Sequence, residues 1–488
     1  MNHIKNLAGQ TVIYGLSSLV PRFLGYLLNP IYTYNFPSEQ YGNVTILYTY
    51  IALLNIILTY GMETGFFYFA KKEQDTGKVF GTAFFSVLIT TALFIFVAFL
   101  NIHFLAKVLQ FSGNIRYLFW FIVIIGLDTV SAIPFSRLRY QNKAFKFALI
   151  KLISVIVSVL LNIILIWVIP KFLLSKNHLF LGFQYKLDIE FIFISNFIGS
   201  LLSIVLLFPE IIKEKLSFSF VLLRQLLIYS LPLMVAGLAG SINDIIDRVL
   251  LQFFLPKNYN ATSEIGIYWA NIKLAVLMTI FIQMFRFAAE PFFFNQNKDA
   301  DRNLILADVT KYFIIYGLII FLGVTCYMDL LKYYVGPKEY WAGLKIVPIY
   351  LLANLCLGIY FNLTFWFKFS GKTYFGILIT GLGALFTILF NIIVIPYMSY
   401  FGCSIIRLIS YVGMVILAFL LGKKHLDVKY DFKNIFLYIG LALFIFGVTY
   451  FLRINNMMLN IFKNTVAFFL FVIYLERREN IISIFIRK

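Results

Sequence analysis

KAFKFALIKLISVIVSVLLNIILI, residues 143–166, is the stretch on which the fold turns. Beyond its opening lysines it is nearly unbroken apolar sequence, and the one later charge is Lys151. A run of about 20 such residues is what an α-helix needs to cross a hydrocarbon core of roughly 30 Å. Similar runs recur along the chain. Of 488 residues 61% are hydrophobic, 19% aromatic and only 13% charged, a balance foreign to a soluble protein of this length. Barrel strands would be near ten residues long and alternating, and these runs are neither. The sequence therefore predicts an all-α polytopic membrane protein.

Fourteen spans are expected, centred on 10–34, 44–69, 79–100, 117–134, 147–169, 190–208, 226–254, 266–290, 305–328, 346–367, 375–396, 403–421, 434–451 and 459–475. The two long pieces, 226–254 and 266–290, are expected to tilt or break near Pro232 and Pro291. The first span, with Pro21 and Pro30 inside it, is too long for a cleaved signal peptide. With the N-terminus placed inside, 23 of the 41 basic residues fall in cytoplasmic segments, 10 in outer loops and eight within spans. This bias orients the chain with both termini cytoplasmic. The net charge of +19 then reads as topology and attraction to anionic headgroups. No basic aromatic module stands outside the membrane, so nucleic acid is not an expected partner. Cys326, Cys356 and Cys403 have no paired spacing, and His3, His103, His178 and His425 are scattered. Neither a disulfide framework nor a metal site is implied.

The opening stretch also repeats. Laid over KTYFGILITGLGALFTILFNIIVI, residues 372–395, it matches at eight positions, Lys143/Lys372 and Asn162/Asn391 among them. Each helix is followed by a proline, Pro170 or Pro396. A second echo links PSEQYG (37–42) to PKNYNATSEIG (256–266). Spans 1–6 (1–224) and 7–12 (225–430) thus read as parallel six-helix lobes, with spans 13–14 and a basic tail (431–488) appended. Parallel repeats imply a pseudo-twofold axis along the membrane normal.

Several segments resemble the polysaccharide exporters, or O-antigen flippases, of the multidrug/oligosaccharidyl-lipid/polysaccharide superfamily. They are NFPSEQYGNVTILY after span 1, LIYSLPLMVAGLAGSINDIIDRVLLQFF in span 7, and EIGIYWANIKL and RFAAEPFFF in span 8. The resemblance implies a bacterial inner-membrane transporter that moves an undecaprenyl-pyrophosphate-linked oligosaccharide outward through a cationic cavity between two lobes. It also implies a groove on spans 13–14 for the polyprenyl tail, and membrane lipids and polysaccharide polymerase or assembly proteins as partners of a monomer. The motifs specify the superfamily well and the glycan hardly at all.

Charges inside the spans can be weighed without the resemblance. One near mid-membrane costs about 2.5–3.5 kcal/mol on insertion scales, so it faces a cavity or a partner. Arg22 lies half-way along span 1 with no acid within four residues. Arg248 shares a helix face with Asp244, four residues earlier, and has Asp247 beside it. Lys273 lies two turns into span 8. Arg22, Arg248 and Lys273 are the candidates for pyrophosphate, because cations, and guanidinium forks above all, suit phosphate oxygens. Glu63, Asp128, Asp244 and Asp247 are candidate cavity acids, or carriers of a coupling proton or sodium ion. Asn243, Asn271 and Gln283 are candidate glycan contacts. Each has a plainer reading: mutual neutralisation for Asp244 and Arg248, an Asp247 pair for Lys273, an interhelical hydrogen bond for the amides. Arg286 with Glu290, and Arg407, read as snorkelling side chains.

Other classes fit less well. The one DxD, Asp299-Ala300-Asp301, lies in a short polar loop, and no loop is large enough for a polymerase's catalytic segment, so an enzyme is not expected. A drug antiporter would favour acids over cations and needs only twelve spans. A lipid II flippase is the nearer rival. No GxxxxGK[ST] motif appears, so ATP and other cofactors are not expected.

Overall fold

The computed structural model describes residues 19–21, 23–111, 113–173, 187–213, 216–294, 299–369, 372, 374–424 and 428–480. Among them every regular element is helical. In lipid this follows from the backbone, since a helix satisfies its own N–H and C=O groups within one segment. Among the described residues twelve helices are long and apolar enough to cross a membrane.

The chain forms two compact units, Met1–Val249 and Leu250–Lys488. The first holds α1 (Asn29–Asn35), α2 (Ser38–Thr59), α3 (Met62–Lys72), α4 (Thr76–Leu100), α5 (Ile102–Val108), α6 (Ile115–Tyr140), α7 (Ala144–Ile163), α8 (Glu190–Ile212) and most of α9 (Phe220–Phe254). Helices α6, α7 and α8 pack on one another. Helix α7 runs on through a π-helical stretch, Ile164–Val168, just after Asn162. The expected second span is two pieces, because Tyr60 and Gly61 both take left-handed backbone angles (φ 34° and 72°). Glycine is required at the second of these. A Cβ on Gly61 would lie 2.5 Å from the Ser230 carbonyl oxygen of α9, closer than any real contact. The kink lets Phe66 and Phe69 pack with Phe80, Phe84, Leu222 and Leu226 in one core.

The second unit holds α10 (Ala261–Ile272), α11 (Val276–Phe294), α12 (Asp299–Cys326), α13 (Met328–Val335), α14 (Val347–Leu363), α15 (Phe365–Phe369), α16 (Tyr374–Lys423), α17 (Phe432–Phe451) and α18 (Met457–Glu479). A 3-10 segment, Lys338–Ile346, leads into α14. Helix starts carry the caps that their sequence offers. The Asn260 side chain accepts from the Ser263 N–H, Asp431 from Asn434, and Asn456 from Met458 and Leu459. At 50 residues α16 would run about 75 Å, and it is in fact two helices meeting at Ser399 (φ 49°, ψ −141°). The second copy of the repeated stretch lies in its first part. Helix α14 packs along it.

Neither Pro232 nor Pro291 breaks its helix. Helix α9 is continuous through Pro232; proline removes one donor, which neighbouring helices and side chains tolerate in a membrane. Span 8 runs on through Pro291 and instead loosens earlier, into a 3-10 turn at Lys273–Ala275.

Candidate functional site

The acids of the first unit divide into two kinds. Asp128, on α6, turns toward α8, where the Ser200 hydroxyl donates to its Oδ1 at 2.6 Å. Thr129 beside it donates to Asn55 Oδ1 of α2 at 2.9 Å, so two consecutive residues tie three helices. Lys151 of α7 is near enough to act on Asp128 electrostatically, with its ammonium 5.4 Å from the Phe135 ring. The same polar seam continues with Ser158 donating to Asn196 and Tyr32 to Asn162, both at 3.0 Å. Glu63 sits differently. Its carboxylate meets Arg139 at 2.6 Å, with both side chains more than a third exposed, and accepts from Ser136 at 3.1 Å.

Glu210 is the acid that sequence reasoning missed. Its side chain is 2% exposed and gathers Lys146, Lys143 and Lys213 at 2.6, 3.1 and 3.4 Å, while Arg137 donates to its carbonyl oxygen at 2.5 Å. The signal was present in Arg137, Lys143 and Lys146, which a count of basic residues treats as topology alone.

On α9, Asn243, Asp247 and Arg248 are buried, whereas Asp244 is exposed. Asp247 Oδ1 accepts from the Arg248 backbone N–H at 2.9 Å and lies 3.9 Å from Arg248 Nε, with both side chains 6% exposed. Arg248 Nη2 donates to the Asp244 carbonyl oxygen at 3.3 Å. The guanidinium is thus drawn back over the preceding turn of its own helix. Arg22 lies outside the described residues.

Three cations of the second unit lie against rings. The Lys273 ammonium is 4.1 Å from the Trp269 ring, and the Arg286 guanidinium 4.0 Å from Phe361. Arg407, read as snorkelling, is instead 4% exposed, bonded to the Tyr350 hydroxyl and 5.6 Å from the Tyr411 ring. In a desolvated setting such contacts are worth about 2 kcal/mol. The Asn271 amide donates at 2.8 Å to the carbonyl oxygens of Ile267 and Tyr340. Gly343 permits this, since a Cβ there would lie 2.2 Å from Nδ2. Gln283 is partly buried on α11, and the Glu290 side chain lies outside the described residues. Asn391, wholly buried, has neither amide atom hydrogen-bonded, unlike its repeat counterpart Asn162.

A family described as polysaccharide biosynthesis protein matches residues 7–296. The chain belongs to that family. An uncharacterized membrane protein of Methanocaldococcus jannaschii is 23% identical to it over 93% of this chain and 92% of its own. Among solved structures, a lipid II flippase, MurJ, in an inward closed conformation superposes with a TM-score of 0.73 at 15% identity, covering 96% of this chain and 99% of that one. An inward-facing multidrug resistance MATE transporter of the MOP superfamily gives 0.63 at 13% identity, over 85% and 97%. The chain therefore shares the fold of the lipid II flippase and the MATE transporter.

Proposed function

We propose that the chain is a transporter without catalytic activity that carries an undecaprenyl-pyrophosphate-linked oligosaccharide outward across a bacterial inner membrane. The cargo is a repeat unit of O-antigen, capsule or exopolysaccharide, and both chain termini face the cytoplasm. The observation that carries this reading is the enclosed Asp247–Arg248 pair in an apolar helix of a polysaccharide biosynthesis family member. Two charges kept at insertion costs of about 2.5–3.5 kcal/mol each call for a use. Arg248 supplies a planar fork for pyrophosphate, and Asp247 moderates it so that bound cargo can leave. Lys273 and Arg22 belong to the same proposal as further cations. An inside-negative potential favours outward movement of the dianion by about 2.3 kcal/mol per charge per 100 mV. Glu63, Asp128, Asp244 or Asp247 would carry any coupling proton or sodium ion.

The test is flipping of a polyprenyl-pyrophosphate oligosaccharide by the purified chain in proteoliposomes. Arg248→Ala should abolish flipping at normal protein yield, and Arg248→Lys should retain part, since lysine keeps the charge without the fork. Fully active Asp247→Asn/Arg248→Gln would reduce the pair to a helix clamp and sink the reading.

A second reading, lipid II as cargo, is favoured by the superposition on a lipid II flippase. Flipping of lipid II but not of the polyprenyl-pyrophosphate oligosaccharide, in the same vesicles, would select it.

A further inference from the structure

One end of the second unit carries a cavity of about 580 Å³ that no function above uses. It lies where α12 ends, beside α13, the 3-10 segment and the turn joining α17 to α18. Its charged lining residues are Lys332, Lys345, Arg453 and Asp329: three cations against one carboxylate. Asp329 accepts from Asn460 Nδ2 at 2.7 Å, from Arg453 and from Lys332 at 3.5 Å. Burial pushes its carboxyl up, but the Asn460 bond and the Arg453 and Lys332 charges outweigh this and hold it below the ordinary value. It stays ionised near neutral pH, neutralises one cation and leaves an excess of two.

Two further observations say what those cations await. Asn464 lines the cavity and is 5% exposed. Its Nδ2 donates to the Cys326 carbonyl oxygen at 2.8 Å, while its Oδ1 has no partner. A buried acceptor without a donor is unfavourable, and a hydroxyl or ammonium entering the cavity would supply one. The second observation is the surface around the α17–α18 turn. Phe451 is 82% exposed, Met458 80% and Phe462 69%, an apolar rim suited to hydrocarbon chains. A free inorganic anion would satisfy the cations alone. A lipid satisfies cations, acceptor and rim together.

We propose that this cavity holds the phosphate-ester headgroup of a membrane lipid. Lys345 and Arg453 take the phosphate oxygens, Asn464 Oδ1 accepts from a headgroup hydroxyl or ammonium, and the chains lie on the apolar rim. The site asks nothing of the transport reading, because binding is measured without flipping.

The experiment is native mass spectrometry of the full chain in detergent, titrated with dioleoyl phosphatidylglycerol, dioleoyl phosphatidic acid, dioleoylglycerol and undecaprenyl phosphate. Phosphatidylglycerol should bind at least tenfold more tightly than dioleoylglycerol, which lacks the phosphate. Lys345→Gln, which disturbs no ion pair of Asp329, should weaken it about tenfold; Arg453→Gln should do the same if the fold survives. Asn464→Leu should weaken phosphatidylglycerol severalfold and leave phosphatidic acid, with no headgroup hydroxyl beyond the phosphate, unchanged. Tighter binding of undecaprenyl phosphate than of phosphatidylglycerol, with the same response to Lys345→Gln, would keep the site and assign it to the polyprenyl carrier. Equal affinity for dioleoylglycerol, or indifference to Lys345→Gln, would overturn the proposal.

Discussion

Replacing Asn162 and Asn391 by leucine, one at a time, should destabilise the protein at the first position and not at the second, although the two asparagines hold the same place in the repeat. Asn162 is wholly buried. It accepts from the Tyr32 hydroxyl at 3.0 Å and donates to the Ser158 carbonyl oxygen at 2.8 Å. Leucine there strands a hydroxyl of α1 that is also buried. An orphaned group costs about 1–3 kcal/mol, while single polar contacts between membrane helices average about 0.6, so about 1–2 kcal/mol of destabilisation is expected. Asn391 is equally buried, and both of its amide atoms lack partners. Leucine keeps the branched skeleton of asparagine and removes an unmet desolvation cost, which offsets the packing cost of its bulkier methyls, so stability should be unchanged or rise by about 1 kcal/mol. The assay is thermal unfolding of purified variants in one detergent, with flipping followed in parallel. A fall of similar size in both variants would refute the reasoning, since it would show the Asn391 amide bonded in the membrane. A stable Asn391→Leu protein that no longer transports would show that the amide waits for something other than a neighbouring helix.

Other perturbations bear on the remaining elements. Cysteines placed in 135–146 and 422–433 should react from the cytoplasmic side and those in 35–42 and 397–402 from the outer side; labelling of both groups from one side would overturn the assigned orientation. Gly61→Ala should lower the unfolding midpoint by the equivalent of at least about 1–3 kcal/mol, as left-handed strain adds to the 2.5 Å approach to Ser230, and an unchanged midpoint would refute the close packing. The carboxyl of Asp329 is held below its ordinary value, so its contribution to stability is complete above the unfolded carboxylate range and is lost as pH falls through the lower folded value. Asp329→Asn should therefore flatten the acid limb of the stability profile, and an unaltered limb would show that the Arg453 and Lys332 contacts contribute nothing.

The helices were legible in the sequence because hydrocarbon leaves a chain few choices: apolar runs of sufficient length must be helical. Even the kink at Ser399 falls within three residues of Pro396, where the repeat ends. The partners of the charged residues were not legible, since they come from far along the chain. Asp128 finds Ser200 on α8, Glu63 finds Arg139 on α6, and Asp329 meets Arg453 and, on α18, Asn460, both more than 120 residues later. Asn271 shows the same limit. Its spacing puts it beside Lys273, but only packing reveals that its amide reaches the Tyr340 carbonyl oxygen.

Counting charges also hid how this protein houses them. Glu63 and Glu210 are met by cations at one end of the first unit, where part of each partner reaches solvent. Lys273, Arg286 and Arg407 lie over Trp269, Phe361, Tyr350 and Tyr411. A carboxylate partner accepts the cation's hydrogens and cancels its charge, whereas a ring face stabilises the charge and accepts no conventional hydrogen bond. Ring contacts therefore help a membrane helix hold a cation. Loss of the ring should then act differently from loss of the cation. Trp269→Leu should lower protein yield or thermal stability yet leave the charge dependence of transport intact, while Lys273→Gln should spare stability and change that dependence. Indistinguishable effects of the two substitutions would show that Lys273 serves only to fasten its helix.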